Sequence, residues 1–570
     1  MRWKYVPVEE ERKATLSREL GVSAVLAEVI GRLDLAGIET IRGFLRPRLK
    51  ELGDPFLLPN LKEAAQRIIE ARDKGEHVVV FGDYDVDGVT STTLLVSAFR
   101  RMGMKPGFVV PRRMEEGYGL SAQAVDRMLS DERPDVLVAV DCGTNSRDEA
   151  EKLRTQGVEV IIVDHHRAVE GIPEGCLIVN PHLETDTEYP WTNLSAVGLA
   201  FKLVHGILKV LRERNDSQGW EIELKDYLDL VAMGTIADLV PLREENRILA
   251  RHGLAALNES QSDGLRALLR VAGVKDGDPI RPVDISFRMG PRINACGRLA
   301  DAALPVKMLL SQDAEFCRET ARQLDAYNRE RQDIERKIVE EADRRIAGIV
   351  DQLSGIVLYD SDWHPGVVGI VASRISRKYN RPTIILGNEG ELARGSGRGI
   401  KGLSLVRVLE KCDDLLENWG GHPAAVGVSL KEANVPEFQD RFARTVDGFL
   451  SEGIPDPEIE ISAWLDLDDI NENLLAELDH LYPFGQGNPE PLFGVRGVEI
   501  RTPPQVFQDL HYRFQIEKPS GGRFFGVAWK KADSLPPLHT PLDFVFRIYR
   551  NSYNGKQYLQ LEMIDWRVAE

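Results

Sequence analysis

HVVVFGDYDVDG (77–88), DVLVAVDCG (135–143) and VEVIIVDHH (158–166) share one pattern: a short apolar run that ends on an acid. Four to six consecutive apolar residues rich in valine and isoleucine read as strands buried on both faces. Between them lie segments with helical periodicity, TLLVSAFRRMG (93–103), SAQAVDRMLS (121–130) and SRDEAEKLRTQG (146–157). Strands alternating with helices predict a mainly parallel sheet covered on both sides. In such open α/β sheets, ligands bind in the crevice beyond the carboxyl ends of the strands. Asp83, Asp85, Asp87, Asp141, Asp164, His165 and His166 should therefore converge, although they span about 80 positions. If the first motif is extended, its three acids point to one side.

The pattern continues outward. LKEAAQRIIEARDKG (61–75) reads as the helix before the first strand, and PGFVVP (106–111) and CLIVN (176–180) as further strands. A charged, apolar-striped stretch at 312–347 predicts one long helix with Leu324, Tyr327, Ile334, Ile338, Ala342 and Ile346 near one face. At a rise of about 1.5 Å per residue it would reach roughly 50 Å, a strut between domains. A second αβ block follows: strand 355–359, helix 367–379, strand 383–387. SEGIPDP (451–457) reads as a linker, and the aromatic, β-rich end of the chain as a small antiparallel barrel. The expected domains are a helical segment (1–50), a first α/β domain (51–311), a connecting helix (312–350), a second α/β domain (351–451) and an OB-like module (452–570).

Composition narrows the class. The 570 residues suffice for several cores, and no apolar run of membrane-spanning length or signal-peptide h-region occurs. Five scattered cysteines without CxxC spacing disfavour a disulfide framework or structural zinc and suit a reducing cytoplasm. A net charge of −18 counts against a polyanion ligand. It conceals basic islands, however: Arg281, Arg288, Arg292 and Arg298, then Arg394, Arg398, Lys401, Arg407 and Lys411.

Crowded carboxylates need cations. Oxygen donors with one or two imidazoles suit Mn²⁺ or Mg²⁺ better than Zn²⁺. Two such ions about 4 Å apart serve phosphoryl chemistry. An EF-hand loop is the alternative for DxDxDG, but the twelfth position is Leu94 and a strand precedes the motif. A lone Asp after a strand can be a helix cap, and paired histidines can be structural.

GDYDVDG, VDCG and DHH, in that order, resemble the DHH phosphoesterase family, and VAMGTIADLVPL (231–242) resembles its fourth acidic motif. The resemblance implies Asp85, Asp87, Asp141, His165 and Asp238 as ligands of two divalent ions, Mn²⁺ or Mg²⁺, with Asp83 close by. It gives Asp164 and His166 catalytic roles, His166 on the scissile phosphate. Where some relatives carry a histidine four positions before Asp85, this chain has Phe81.

GPRINACGRLADA (290–302) offers two arginine forks and an amide beside glycines, a plausible phosphate clamp. ARGSGRGIKG (393–402) reads as an anion-binding glycine loop, and GGHPAAVG (420–427) as another small-residue loop. These segments resemble the exonuclease branch of the family. That implies 5′-phosphate contacts for Arg298, Ser396 and Arg398, with Arg292, Asn294 and His422 as further substrate contacts and Trp363 and His364 facing the cleft. The implied fold class is α/β: a parallel-sheet DHH domain, a long connecting helix, a DHH-associated α/β domain and a C-terminal OB-like β-barrel. The implied function is a single-stranded-DNA-specific 5′→3′ exonuclease in repair and recombination, releasing 5′ mononucleotides and partnered by a single-strand-binding protein and a helicase. An oligoribonuclease or other DHH phosphoesterase, and a non-catalytic replication scaffold, are the alternatives. Among the C-terminal aromatics, Phe514, Phe524, Phe525, Trp529 and Tyr549 divide between core and base-stacking roles.

Overall fold

The computed structural model describes residues 2–117, 119–169, 171–183, 192–275, 277–450, 453–553 and 556–569. A short strand, β1 (Arg2–Lys4), precedes three helices, Glu10–Leu20, Ala24–Gly31 and Ile38–Leu45. The first α/β domain is built on β2 (Val78–Gly82), β3 (Gly107–Val109), β4 (Val136–Val140), β5 (Glu159–Val163) and β6 (Leu177–Val179). All neighbours are parallel, in the order β3-β2-β4-β5-β6. Successive side chains enter opposite layers, as a pleat requires. Val78, Val80, Val136 and Val138 join the large core beneath the helices from Ala196 onward, whereas Val79, Phe81, Leu137 and Ala139 pack on the other face with Leu120, Val125 and Leu153.

Register matters more than content here. Gly82 pairs with Val140, and Val140 with Val163, so three adjacent strands end level. The residues that follow, Asp83, Asp141 and Asp164, leave the sheet side by side. The backbone ladder continues one step, Asp141 N donating to the Val163 carbonyl at 3.1 Å and Asp164 N to that of Val179 at 3.1 Å.

The long helix is Ala314–Ile346, 33 residues. Its first half packs into the first core through Cys317, Ala321 and Leu324. Its second half packs on the second α/β domain through Ile338, Ala342 and Ile346. That domain contains β7 (Ile356–Tyr359), β8 (Thr383–Glu389), β9 (Leu392–Arg398), β10 (Asn418–His422) and β11 (Ala425–Lys431) in the order β10-β11-β9-β8-β7. ARGSGRGIKG is therefore not a loop: most of it is strand β9. Gly395 is small because a Cβ there would overlap the Ile385 carbonyl oxygen of β8. GGHPAAVG is likewise a hairpin, β10 turning into β11 at Pro423–Ala424.

Of the expected linker at 451–457, residues 451 and 452 lie outside the described residues. β12 (Glu458–Glu460) pairs in parallel with β1, and the C-terminal seven-stranded sheet follows. It is mixed, not purely antiparallel: Ala463–Trp464 runs parallel to Phe493–Glu499, and Arg523–Ala528 parallel to Lys556–Val568. The N-terminal helices pack into this sheet's core, Leu16, Leu26 and Ile41 sharing one cluster with Phe493, Phe544 and Met563. Arg247, fully buried, ties both ends to the first domain. Its guanidinium donates to the carbonyls of Phe44, His480 and Tyr482.

At Gly82 a Cβ would overlap Thr92 Oγ1 on the following helix. Gly82→Ala should therefore destabilise the first domain by about 1–3 kcal/mol, the usual cost of overpacking. A urea-unfolding midpoint followed by circular dichroism checks this, and an unchanged midpoint contradicts the close helix–strand approach.

Candidate metal centre and phosphate pocket

The first motif is a strand, a turn and a helix rather than an extended run. β2 stops at Gly82, Asp83 lies in the turn, and Asp85 caps the helix Val86–Arg101. Asp85 Oδ1 accepts from the amides of Asp87 at 2.9 Å and Gly88 at 3.2 Å. Asp87 falls in the first helical turn. Its carboxylate accepts from Ala196 N at 2.7 Å and Val197 N at 2.9 Å, the start of another helix. Gly234 permits this approach, since a Cβ there would sit 2.8 Å from Asp87 Oδ1.

Three groups of potential ligands result: Asp83, Asp85 and Asp141; Asp141, His165 and His166; and Asp87, His165 and Asp238. Asp141 belongs to two of them and His165 to two. His165 Nε2 lies 3.4 Å from Asp141 Oδ1, 3.7 Å from Asp238 Oδ2 and 4.0 Å from Asp87 Oδ2. Asp141 holds a left-handed backbone, φ +61°, which Asp tolerates better than most residues. Asp238 terminates the helix Leu228–Ala237. The Phe81 side chain packs in the far-face core instead.

Burial and mutual repulsion make this cluster costly. Burial, then the charge of Asp85, pushes Asp87 up to about 7. Burial, then Asp87 and Asp85, pushes Asp238 up to about 9. Asp83 and Asp141 lie well above the carboxylate range for the same two reasons. Neither oxygen of Asp83 meets a hydrogen-bond partner among the described residues. Unpartnered buried oxygens and crowded carboxylates are the donor set that hard divalent cations satisfy.

Asp164 is different. Its Oδ2 accepts from Thr144 N at 3.0 Å, and its Oδ1 accepts from His165 N at 2.8 Å and lies 2.7 Å from His166 Nδ1. Burial opposes its charge, but the bond and charge of His166 and the Thr144 contacts outweigh it, holding Asp164 far below the usual range. Burial likewise opposes His166, yet Asp164 pushes it up to about 9. Burial, then His166, holds His165 down to about 4, the neutral form a metal requires. Asp164 therefore positions His166 and is no member of the three groups. Asn180, which the motif reading missed, completes the support. Its Nδ2 donates to Thr144 Oγ1 at 3.0 Å and to the His166 carbonyl at 2.8 Å.

A cavity of about 270 Å³ opens between the two α/β domains, lined by Arg113, Arg298, Pro365, Gly369, Ile370, Ser373, Ser396 and Arg398. Ser396 and Arg398 stand two apart on β9 and so share a face. Arg298 comes from the helix Gly290–Leu299, which carries Gly297 because a Cβ there would press on the Tyr84 ring. Burial, then Arg113, lowers Arg298 to about 10. Arg113 also lies over the Tyr84 ring, 4.9 Å from its centroid. Tyr84 sits between Asp83 and Asp85 in the chain, so its ring brings Arg113 and the helix of Arg298 against the turn that carries the carboxylates. Sequence reading missed Arg113, although PRR (111–113) follows strand β3 as the acids follow theirs.

The remaining expected contacts lie elsewhere. Arg292 pairs with Asp325 of the long helix, Nη2 to Oδ1 at 2.8 Å, and does not line the cavity. Asn294, a turn before Arg298, keeps Oδ1 without a partner among the described residues and does not line the cavity. His422 is exposed at the end of β10, outside the cavity. Trp363 does not face the cleft: it is buried, its Nε1 donating to Glu341 at 3.1 Å. His364 caps the helix Pro365–Tyr379 through Nδ1, which accepts from Gly366 N at 3.0 Å. Phe514 and Phe524 are core, whereas Phe525 and Trp529 are about half exposed.

Family models match in three places: the DHH family N-terminal domain over residues 77–235, the DHHA1 domain over 352–448 and the RecJ OB domain over 461–565. The Bacillus subtilis single-stranded-DNA-specific exonuclease RecJ is 35% identical over 575 residues, covering all of this chain and 71% of that protein. The Escherichia coli RecJ is 34% identical, covering 88% of this chain and 89% of its own. This chain belongs to the RecJ family. Thermus thermophilus RecJ in complex with Mn²⁺ superposes with a TM-score of 0.84 at 30% identity, covering 100% of this chain and 80% of that one. The same RecJ has been solved with Mg²⁺, TM-score 0.79. The donor set above suits either ion.

The carboxylates yield a sign-definite prediction. Asp87 and Asp238 have folded values raised above the roughly 3.9 of an unfolded Asp. Their contribution to stability is full below about pH 4 and is lost as pH rises through about 7 and about 9. Thermal scans of chelator-treated protein should show the melting temperature falling across that window. Mn²⁺ should restore it more at pH 8 than at pH 5.5, and Asp83→Asn should flatten the fall. A Mn²⁺ effect independent of pH contradicts the mutual repulsion.

Proposed function

We propose that this chain is a single-stranded-DNA-specific exonuclease that works from the 5′ end, releasing 5′ mononucleotides with the help of two divalent ions. The observation that carries the reading is the pairing of two sites: a carboxylate–imidazole cluster and, linked to its turn through the Tyr84 ring, a cationic cavity made by both α/β domains. Asp83, Asp85, Asp87, Asp141, His165 and Asp238 are the residues that would hold Mn²⁺ or Mg²⁺. When bound, such ions supply Lewis acidity and ready a water for attack.

The chain's own groups do the rest. His166, held protonated by Asp164, donates to the scissile phosphate and offsets its charge. Arg113, Arg298, Ser396 and Arg398 hold the 5′-terminal phosphate through charge-assisted bonds. Anchoring that terminus beside the cluster fixes both end dependence and polarity, because a chain entering by its 3′ end has no terminal phosphate to offer. The choice of DNA and of single strands rests on the names of the relatives. A reducing cytoplasm suits the five free thiols, and a helicase and a single-strand-binding protein are the partner classes that supply and cover such a substrate.

Digestion of long single-stranded DNA labelled separately at each end, with duplex and RNA in parallel, tests the reading. Mononucleotides should come first from the 5′ label, with single-stranded DNA alone degraded. Release from the 3′ end, or a preference for RNA, would overturn the assignment. Asp141→Ala should lower turnover by more than the roughly 10–100-fold typical of losing an outer-shell partner of a metal. Arg298→Ala should raise KM about tenfold for 5′-phosphorylated ends and little for 5′-hydroxyl ends. Equal losses on both contradict the clamp.

A further inference from the structure

Phe287 is 73% exposed and Leu239 is 62% exposed, two large apolar side chains in water beside a charged site. Both belong to elements that frame the carboxylate cluster. Leu239 directly follows Asp238 and holds a left-handed backbone, φ +61°. Such a conformation costs a leucine of order 1–3 kcal/mol and persists only where the surroundings impose it. Phe287 lies in a single π-helical turn, Ile285–Met289, a rare element that clusters at functional sites.

The inner face of that turn is packed tightly. Ile285 and Met289 are buried, and Ser286 Oγ donates to the Ile236 carbonyl at 3.3 Å. A Cβ on the adjoining Gly290 would sit 3.4 Å from Val86 and 3.9 Å from Ala237. Val86 stands between Asp85 and Asp87, and Ala237 precedes Asp238. The turn is thus seated on the two segments that carry Asp85, Asp87 and Asp238, and it presents Phe287 outward.

Charge and direction identify the occupant. Arg281 and Arg288 flank Phe287 and share one carboxylate, Asp284, at 3.3 and 3.2 Å, which leaves a net positive charge. Beyond Arg281 the C-terminal domain begins, Tyr482 Oη donating to the Ile280 carbonyl at 3.4 Å. The patch therefore lies between the carboxylate-bearing segments and the C-terminal domain, about three helical turns before Arg298 of the cationic cavity.

We infer that Phe287, supported by Leu239, is the stacking face for the base immediately 3′ of the scissile phosphate, with Arg281 and Arg288 on its backbone. This rests on the exonuclease reading above. An exposed ring flanked by guanidinium groups is how single strands are held without sequence preference.

Three substrates test this with wild type, Phe287→Ala and Phe287→Trp. They are a 5′-phosphorylated single strand, the same strand with an abasic site 3′ of the first scissile bond, and 5′-phosphothymidine 3′-(methyl phosphate), which has no such base and is read by release of 5′-thymidylate. Phe287→Ala should slow the normal strand about tenfold, the scale of one lost base stack. It should leave the methyl ester within about twofold and abolish the wild-type preference for the normal over the abasic strand. Phe287→Trp should restore that preference. Equal slowing of all three substrates, or an intact preference in Phe287→Ala, overturns the inference and leaves the exonuclease reading standing. A wild-type chain that cleaves the ester but neither strand overturns both.

Discussion

Carboxylates that cannot all be charged in the space they share govern this molecule. Asp83, Asp87 and Asp141 are buried at the ends of adjacent strands and in the first turn of a helix, and Asp238 joins them from a third element. Such a cluster survives in a fold only if something else imposes it. Here the imposing elements are the level register of β2, β4 and β5, the amides of Ala196 and Val197 on Asp87, and glycines at 82, 88 and 234 that let backbone and side chain approach. Divalent cations turn that strain into a site. Asp164 stands outside the three groups: the Thr144 amide and His166 hold its charge, which is used on His166 instead.

The second half of the chemistry depends on a lever. The long helix packs one end into each α/β domain, which sets Ser396 and Arg398 of β9 opposite Arg113 and Arg298. An anion pocket made by two domains needs a fixed distance between them, and 33 residues of helix supply it. The C-terminal sheet is fastened separately. Buried Arg247, nine positions after Asp238, gives its donors to main-chain carbonyls of the N-terminal and C-terminal segments together.

Much of this was legible in the sequence, for a reason that can be stated. Apolar runs ending on acids encode both the strand and its terminus, so β2, β4 and β5 fall within a residue of their expected places. What failed were inferences from local composition. Glycines in 393–402 suggested a loop, yet they serve close strand packing, and Ser396 and Arg398 share a face because β9 is extended. DYDVD suggested an alternating strand, yet Asp85 caps a helix. Arg292 and Arg298 look equivalent in the motif, and only the position of Asp325 on a helix 33 residues later separates the structural one from the one in the cavity. Arg113 and Asn180 carried no motif of their own, and their roles appear only when the sheet brings them to the same edge as the acids.

The central claim is that this cluster exists to hold cations, with Asp141 common to two groups of ligands. Equilibrium dialysis against Mn²⁺, read as ions bound per chain for wild type and for Asp141→Asn, tests it most directly. The account predicts two ions bound by wild type at pH 8 and a loss of at least one, with weakened affinity for the other, in the variant. Equal stoichiometry and affinity in the two proteins, or no binding by wild type, would contradict it.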